Sequence, residues 1–110
     1  MTITLPLPET TNSTYRTGKN GWYKSKKAQQ WEREAFFILK ANKVKLFERD
    51  VAVTILMHLK RERDIDSCLK PLLDVLQKAG VYTDDKQVTN LFVQKVIDSQ
   101  PCMQVKVEGI

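Results

Sequence analysis

The sequence predicts a single α/β (α+β) domain over residues 1–110, a mixed sheet packed with two helices in the order β-α-β-α-β-β. Three observations predict it. Residues 50–60 alternate Val51, Val53, Ile55, Met57 and Leu59 with Ala52, Thr54, Leu56, His58 and Lys60, which is the two-residue period of a strand. Residues 67–79 repeat Leu69, Leu72, Leu73, Leu76 and Ala79 at helical spacing. A chain of 110 residues is one domain's length and buries about two-thirds of its unfolded surface.

The elements follow in order. Thr2–Leu7 reads as a short strand ended by Pro6 and Pro8. Residues 8–21, rich in Thr, Asn, Ser and Gly, read as a long loop. Residues 24–43 read as a helix with Ser25 as N-cap and a stripe of Ala28, Trp31, Ala35, Ile38 and Leu39. Phe36 and Phe37 widen that stripe beyond one face, which fits either a deeply buried helix or a subunit interface. The strand at 50–60 is apolar on both faces and therefore central in its sheet. Pro71 falls in the first turn of the second helix, and Gly80 supplies its stop. Residues 88–97 and 103–107 read as strands joined by a turn at 98–101.

Composition narrows the function classes. No apolar stretch approaches the roughly 18–20 residues of a membrane span, and Met1–Leu7 lacks the pattern of a secretory signal. Cys68 and Cys102 have no CxxC spacing, and the chain has one His, so a Cys/His zinc site is not expected. Both read as reduced thiols of a cytoplasmic protein. His58 lies within a strand and reads as structural. The net charge of +5 is uneven: residues 1–49 hold 10 Lys/Arg against 4 Asp/Glu, and residues 50–110 hold 8 against 9. A basic half invites a polyanion.

The chemistry concentrates in residues 60–86. In an extended chain Asp64 and Asp66 project to one side, within reach of a shared hard cation. Lys70 follows Asp66 by one helical turn. Asp84 and Asp85 add an acidic pair beyond the helix. A connection before a helix and one after it lie at opposite ends, so the two pairs meet only if the second loop runs back. Mg²⁺ suits such a set, since it takes oxygen ligands, keeps waters and binds substrate phosphates. Lys70 would place positive charge near the reacting phosphate, and Arg61 and Arg63 would hold its neighbours. The bland alternatives are a salt-bridge row at Asp66, Lys70 and Asp74, helix caps, and turn aspartates.

The ordered set Asp64-Ile65-Asp66, Lys70-Pro71, Leu72-Leu73-Asp74-Val75-Leu76 and Gly80-Val81-Tyr82-Thr83-Asp84-Asp85-Lys86-Gln87-Val88 closely resembles the RusA-type Holliday junction resolvases. Ile3-Thr4-Leu5-Pro6-Leu7-Pro8, then Asn12 and Tyr15-Arg16, resembles the opening of that family. Ser67 stands where the family usually has Asn, and Glu9 where it often has a second Pro. The resemblance covers nearly the whole chain. It implies an endodeoxyribonuclease that nicks four-way branched DNA symmetrically, works as a homodimer, and uses Mg²⁺, with Mn²⁺ as a substitute and no organic cofactor. It implies a bacterial cytoplasmic setting, with a phage or prophage origin. By it, Asp64, Asp66, Lys70 and Asp85 are catalytic, and Asp64, Asp66, Asp84 and Asp85 hold metal. Asn12, Tyr15, Arg16, Lys19, Lys24, Lys26, Lys27, Lys60, Arg61 and Arg63 are then the expected DNA-binding residues. Two other classes predict different behaviour. A catalytically silent junction-binding protein of the same fold would bind without metal and never nick. A protein–protein adaptor would bind neither divalent metal nor DNA.

Overall fold

The computed structural model describes residues 1–8, 15–18 and 21–110, with the backbone alone at 15–18 and 21–24. Strand β4 (Val51–Leu59) runs through the middle of a four-stranded sheet of order β1-β6-β4-β5. Its neighbours are β6 (Cys102–Gly109), antiparallel, and β5 (Val88–Ile97), parallel. β1 (Thr2–Leu5) pairs with the far side of β6. The sheet is therefore mixed, and the strand that is apolar on both faces is internal, as its pattern predicts.

Register explains the core. Ile3, Val105, Ile55 and Val93 lie in one row across the four strands, and Leu5, Met103 and Met57 in the next. These rows face the helices, and Leu5, Val53, Ile55, Met57, Met103, Val105 and Val107 are buried. The alternate residues, Thr4, Gln104 and Thr54 among them, stay exposed. A sheet with one covered face must alternate this way.

Helix α1 (Lys26–Ala41) buries Ala28, Trp31, Ala35 and Leu39 against the sheet. Ser25 is its N-cap, as the sequence suggests: it takes an extended conformation and its Oγ accepts from the Ala28 N–H at 3.1 Å, so the helix starts at Lys26 rather than at residue 24. The Trp31 indole N–H donates to the Pro6 carbonyl at 2.8 Å, fixing the exit of β1. Helix α2 (Leu69–Lys78) buries Leu72, Val75 and Leu76. Burying each leucine contributes about 1.5–3 kcal/mol. Gly80, at φ 83°, ends it: its N–H donates to Gln77 O, and the Val81 N–H to Leu76 O at 2.9 Å. A left-handed residue here favours glycine.

One expectation is corrected. Part of the region read as a loop forms a hairpin, β2 (Tyr15–Gly18) with β3 (Gly21–Lys24), in which Gly18 pairs with Gly21. The order is therefore β-β-β-α-β-α-β-β. Tyr15, Thr17, Trp22 and Tyr23 favour strands, but two four-residue strands are too short to show an alternation. Among the described residues, no helix is long and apolar enough to cross a membrane.

Candidate active site

The chain leaves the sheet at Leu59 and reaches α2 through residues 60–68, where Asp64, Asp66 and Lys70 are exposed. The segment is not extended throughout. The Ser67 N–H donates to the Asp64 carbonyl at 3.1 Å, and the Leu69 N–H to the Asp66 carbonyl at 3.2 Å. Two successive turns, rather than strand alternation, thus present the carboxylates. Ser67 and Cys68 are buried beneath them and anchor the turn. Among the described residues, no hydrogen bond or ion pair engages the side chains of Asp64, Asp66 or Lys70. Two exposed carboxylates with open oxygen lone pairs fit a Mg²⁺ ion, which one or two carboxylates hold together with waters and phosphate oxygens.

The second acidic pair is built differently. Asp84 caps a short 3₁₀ turn (Asp85–Gln87): its carboxylate accepts from the Lys86 N–H at 2.9 Å, and the Gln87 side chain accepts from the Asp84 N–H at 3.2 Å. The Lys86 backbone N–H is the chief reason its carboxyl lies below the ordinary range. Gln87 also donates to the carbonyls of Phe47 and Arg49, so the capped turn is sewn to the entry of β4. The Asp85 N–H is held by the Gln77 side chain at 3.1 Å. The Asp85 carboxylate lies near Tyr82, whose hydroxyl donates to Leu73 O at 2.7 Å and is pushed well up, first by burial, then by Asp85 and Asp74.

The two pairs do not converge within one chain. In the β4–β5 register Val51 lies opposite Val88 and Leu59 opposite Ile97, so Asp84 and Asp85 sit near the beginning of β4 and Asp64 and Asp66 beyond its end. The ten-residue α2 between them spans about 15 Å. Among the described residues, no three His, Cys, Asp or Glu stand close enough to hold one metal. The expected set Asp64, Asp66, Asp84 and Asp85 is thus divided, because the loop after α2 stays at the helix's far end.

The basic residues also divide. Lys26 and Lys27 occupy the exposed first turn of α1, which has no acidic residue. Cations there oppose the helix dipole unless an anion joins them. Lys60 and Arg61 are exposed beside the carboxylate loop. Arg63 is committed elsewhere: its guanidinium donates to the Pro8 carbonyl at 2.7 Å, tying the loop to the segment after β1. Tyr15, Arg16 and Lys24 fall on the hairpin strands, and Asn12 and Lys19 lie outside the described residues.

Other residues lie away from the carboxylate loop. His58 bridges Asp98 and Gln104, each at 3.0 Å, pinning β4 to the β5–β6 turn and to β6. This agrees with a structural role. Phe36 and Phe37 are not core residues; they stand on the outer surface of α1 beside Arg33 and Lys40, and Phe37 is 72% exposed. β5 exposes Leu91 and Ile97 on the helix side and Phe92 on the open side. Cys68 is buried, Cys102 is partly buried, and both thiols are free.

A family model described as endodeoxyribonuclease RusA matches residues 6–108. The crossover junction endodeoxyribonuclease RusA of Aquifex aeolicus (strain VF5) is 32% identical over 99 residues, covering 86% of this chain and 76% of that protein. The crossover junction endodeoxyribonucleases of Enterobacteria phage 82 and Escherichia coli (strain K12) are each 32% identical over 97 residues, covering 86% of this chain and 81% of theirs.

Proposed function

Because this chain belongs to the RusA family of endodeoxyribonucleases, we propose that it resolves Holliday junctions by paired, symmetric, Mg²⁺-dependent nicks. The observation that carries the reading is the exposed Asp64/Asp66 pair, which lacks partners among the described residues and follows the central strand. Clustered acids beside DNA phosphates repel them unless a cation intervenes, and this argues against a silent binding protein. Bound Mg²⁺, or Mn²⁺ in its place, supplies an activated water and neutralises charge on the scissile phosphate. Asp64 and Asp66 hold the ion. Lys70, exposed in the first turn of α2, stabilises charge on the phosphate oxygens. Lys26, Lys27, Lys60 and Arg61 grip flanking phosphates and set register on the branched DNA, with Asn12, Tyr15, Arg16, Lys19 and Lys24 as further contacts.

Two symmetric nicks call for two identical sites, which a two-fold homodimer provides. The outer edge of β5 suits that contact better than the Phe36/Phe37 surface. It is a ten-residue edge strand without proline, with Leu91 and Ile97 exposed on one face and Phe92 on the other, of the kind that pairs with another strand unless covered. The Phe36/Phe37 surface is flanked by Arg33 and Lys40, so a two-fold contact there sets like charges together. Antiparallel pairing of two β5 strands brings the Val88 end of one copy to the Ile97 end of the other. Asp85 of one copy then approaches Asp64 and Asp66 of its mate, which reunites the divided carboxylates. The relatives are bacterial and phage proteins, and a bacterial cytoplasmic role, with a phage or prophage origin, agrees with them.

The test is incubation with a synthetic four-way junction in Mg²⁺, in Mn²⁺ and in EDTA, with the nicks mapped on all four strands. Symmetric nicks on two opposed strands that vanish in EDTA are expected. Binding without nicking in either metal would remove the enzymatic reading.

A further inference from the structure

On β5, Leu91, Val93, Lys95 and Ile97 share the helix-side face, and Lys95 lies opposite the buried Met57. A lysine in this apolar row must find acceptors for its ammonium, because partial burial makes an unpaired charge costly. It finds two, both in the carboxylate loop. Nζ donates to the Arg63 carbonyl at 2.8 Å and forms an ion pair with Glu62. Lys95 therefore grips the two residues immediately before Asp64. The later half of the loop is held by its own turns, Ser67 N–H to Asp64 O and Leu69 N–H to Asp66 O. Nothing else among the described residues hydrogen-bonds the Arg63 carbonyl.

We infer that Lys95 is a positioning residue for the active site: it clamps residues 62–63 to the sheet edge so that Asp64 and Asp66 are presented together. The inference rests on the reading of that pair as metal-holding. It also explains Glu62, which interrupts the basic run Lys60, Arg61, Arg63. Glu62 is the counter-ion of Lys95 rather than a flaw in a phosphate-binding surface. The ion pair is the weaker half of the clamp, since Glu62 is 69% exposed. The bond to a carbonyl beside the loop's bend is the stronger half.

The test uses the full chain as Lys95→Met, Lys95→Arg and Glu62→Gln. Hydrogen exchange without metal comes first. Lys95→Met should speed exchange of the 64–67 amides about tenfold while β4 and α2 keep their protection. Mn²⁺ binding to the free protein, followed by electron paramagnetic resonance, should weaken about tenfold, as for loss of an outer partner of a metal ligand. Junction affinity in EDTA should stay within about twofold of the parent. Lys95→Arg should restore both properties, and Glu62→Gln should shift them the same way by less than about threefold. Unchanged loop exchange and Mn²⁺ affinity in Lys95→Met would overturn the inference. So would a parallel loss of junction affinity, which marks a phosphate contact, or faster exchange throughout β4, which marks a general sheet residue. A parent protein that never nicks a junction would instead remove the functional reading and leave the exchange result standing.

Discussion

Asp64 and Asp66 stand on a turn with their carboxylates open to solvent, whereas Asp84, one helix later, accepts from the Lys86 N–H and is tied by Gln87 to the entry of β4. In sequence the two acidic pairs look equivalent. The difference lies in what the backbone around each one needs. In the 3₁₀ turn after α2 the Lys86 N–H takes its acceptor from Asp84, whose carboxylate is consumed in capping it. The turn before α2 closes on its own carbonyls, so its carboxylates are left for a ligand. Asp85 falls between these cases, its N–H held and its carboxylate directed near Tyr82.

The largest expected effect is at Asp66. Asp66→Asn should lower junction cleavage by more than about a hundredfold, beyond what loss of an outer partner costs, while junction binding stays measurable. Full Mg²⁺-dependent activity in that variant would erase the distinction between the pairs. Next, Asp85→Ala and Asp84→Ala should separate. Asp85→Ala should lose cleavage and keep its thermal midpoint. Asp84→Ala should lose a few degrees of Tm by scanning calorimetry and cleave well at low temperature. Salt gives a smaller effect. Replacing both Lys26 and Lys27 with Gln should reduce the slope of log affinity against log salt by about two, measured by fluorescence anisotropy.

The smallest effect concerns pH. Hydrogen bonds with Gln104 and Asp98 raise the pKa of His58 in the folded state. Its contribution is complete below the unfolded value of about 6.5 and fades as pH rises through the folded value. Asp98 is lowered, chiefly by His58, so its contribution is lost only in acid, as pH falls through its folded value. The Tm difference between the parent and His58→Gln should therefore be largest from about pH 5 to 6 and shrink above that range. A difference independent of pH would show that the clamp does not depend on the imidazolium.

Local periodicity carried most of the fold. The alternation at 51–59 and the leucine spacing at 69–76 are set by neighbours a few residues away, and both elements lie where the pattern puts them. The hairpin at Tyr15–Lys24 escaped because its strands are short and sit among Thr, Asn, Ser and Gly. The candidate residues were legible as an ordered motif, but their grouping was not. Whether Asp85 meets Asp64 is decided by the parallel register of β4 and β5, which no nearby residue encodes. Arg63 misled for the same reason: its partner, the Pro8 carbonyl, lies 55 positions away. Lys95 carries no local signal, because its partners Glu62 and Arg63 lie more than thirty positions away.

The position of β6 bears on how this nuclease comes into being. β6 follows the other five described strands in sequence, yet it lies between β1 and β4 and is the partner of β1. During synthesis β1 therefore waits unpaired until residues 102–109 leave the ribosome, and the sheet closes late, through contacts between distant parts of the chain. A truncated product that stops before β6 cannot complete the platform behind the carboxylate loop.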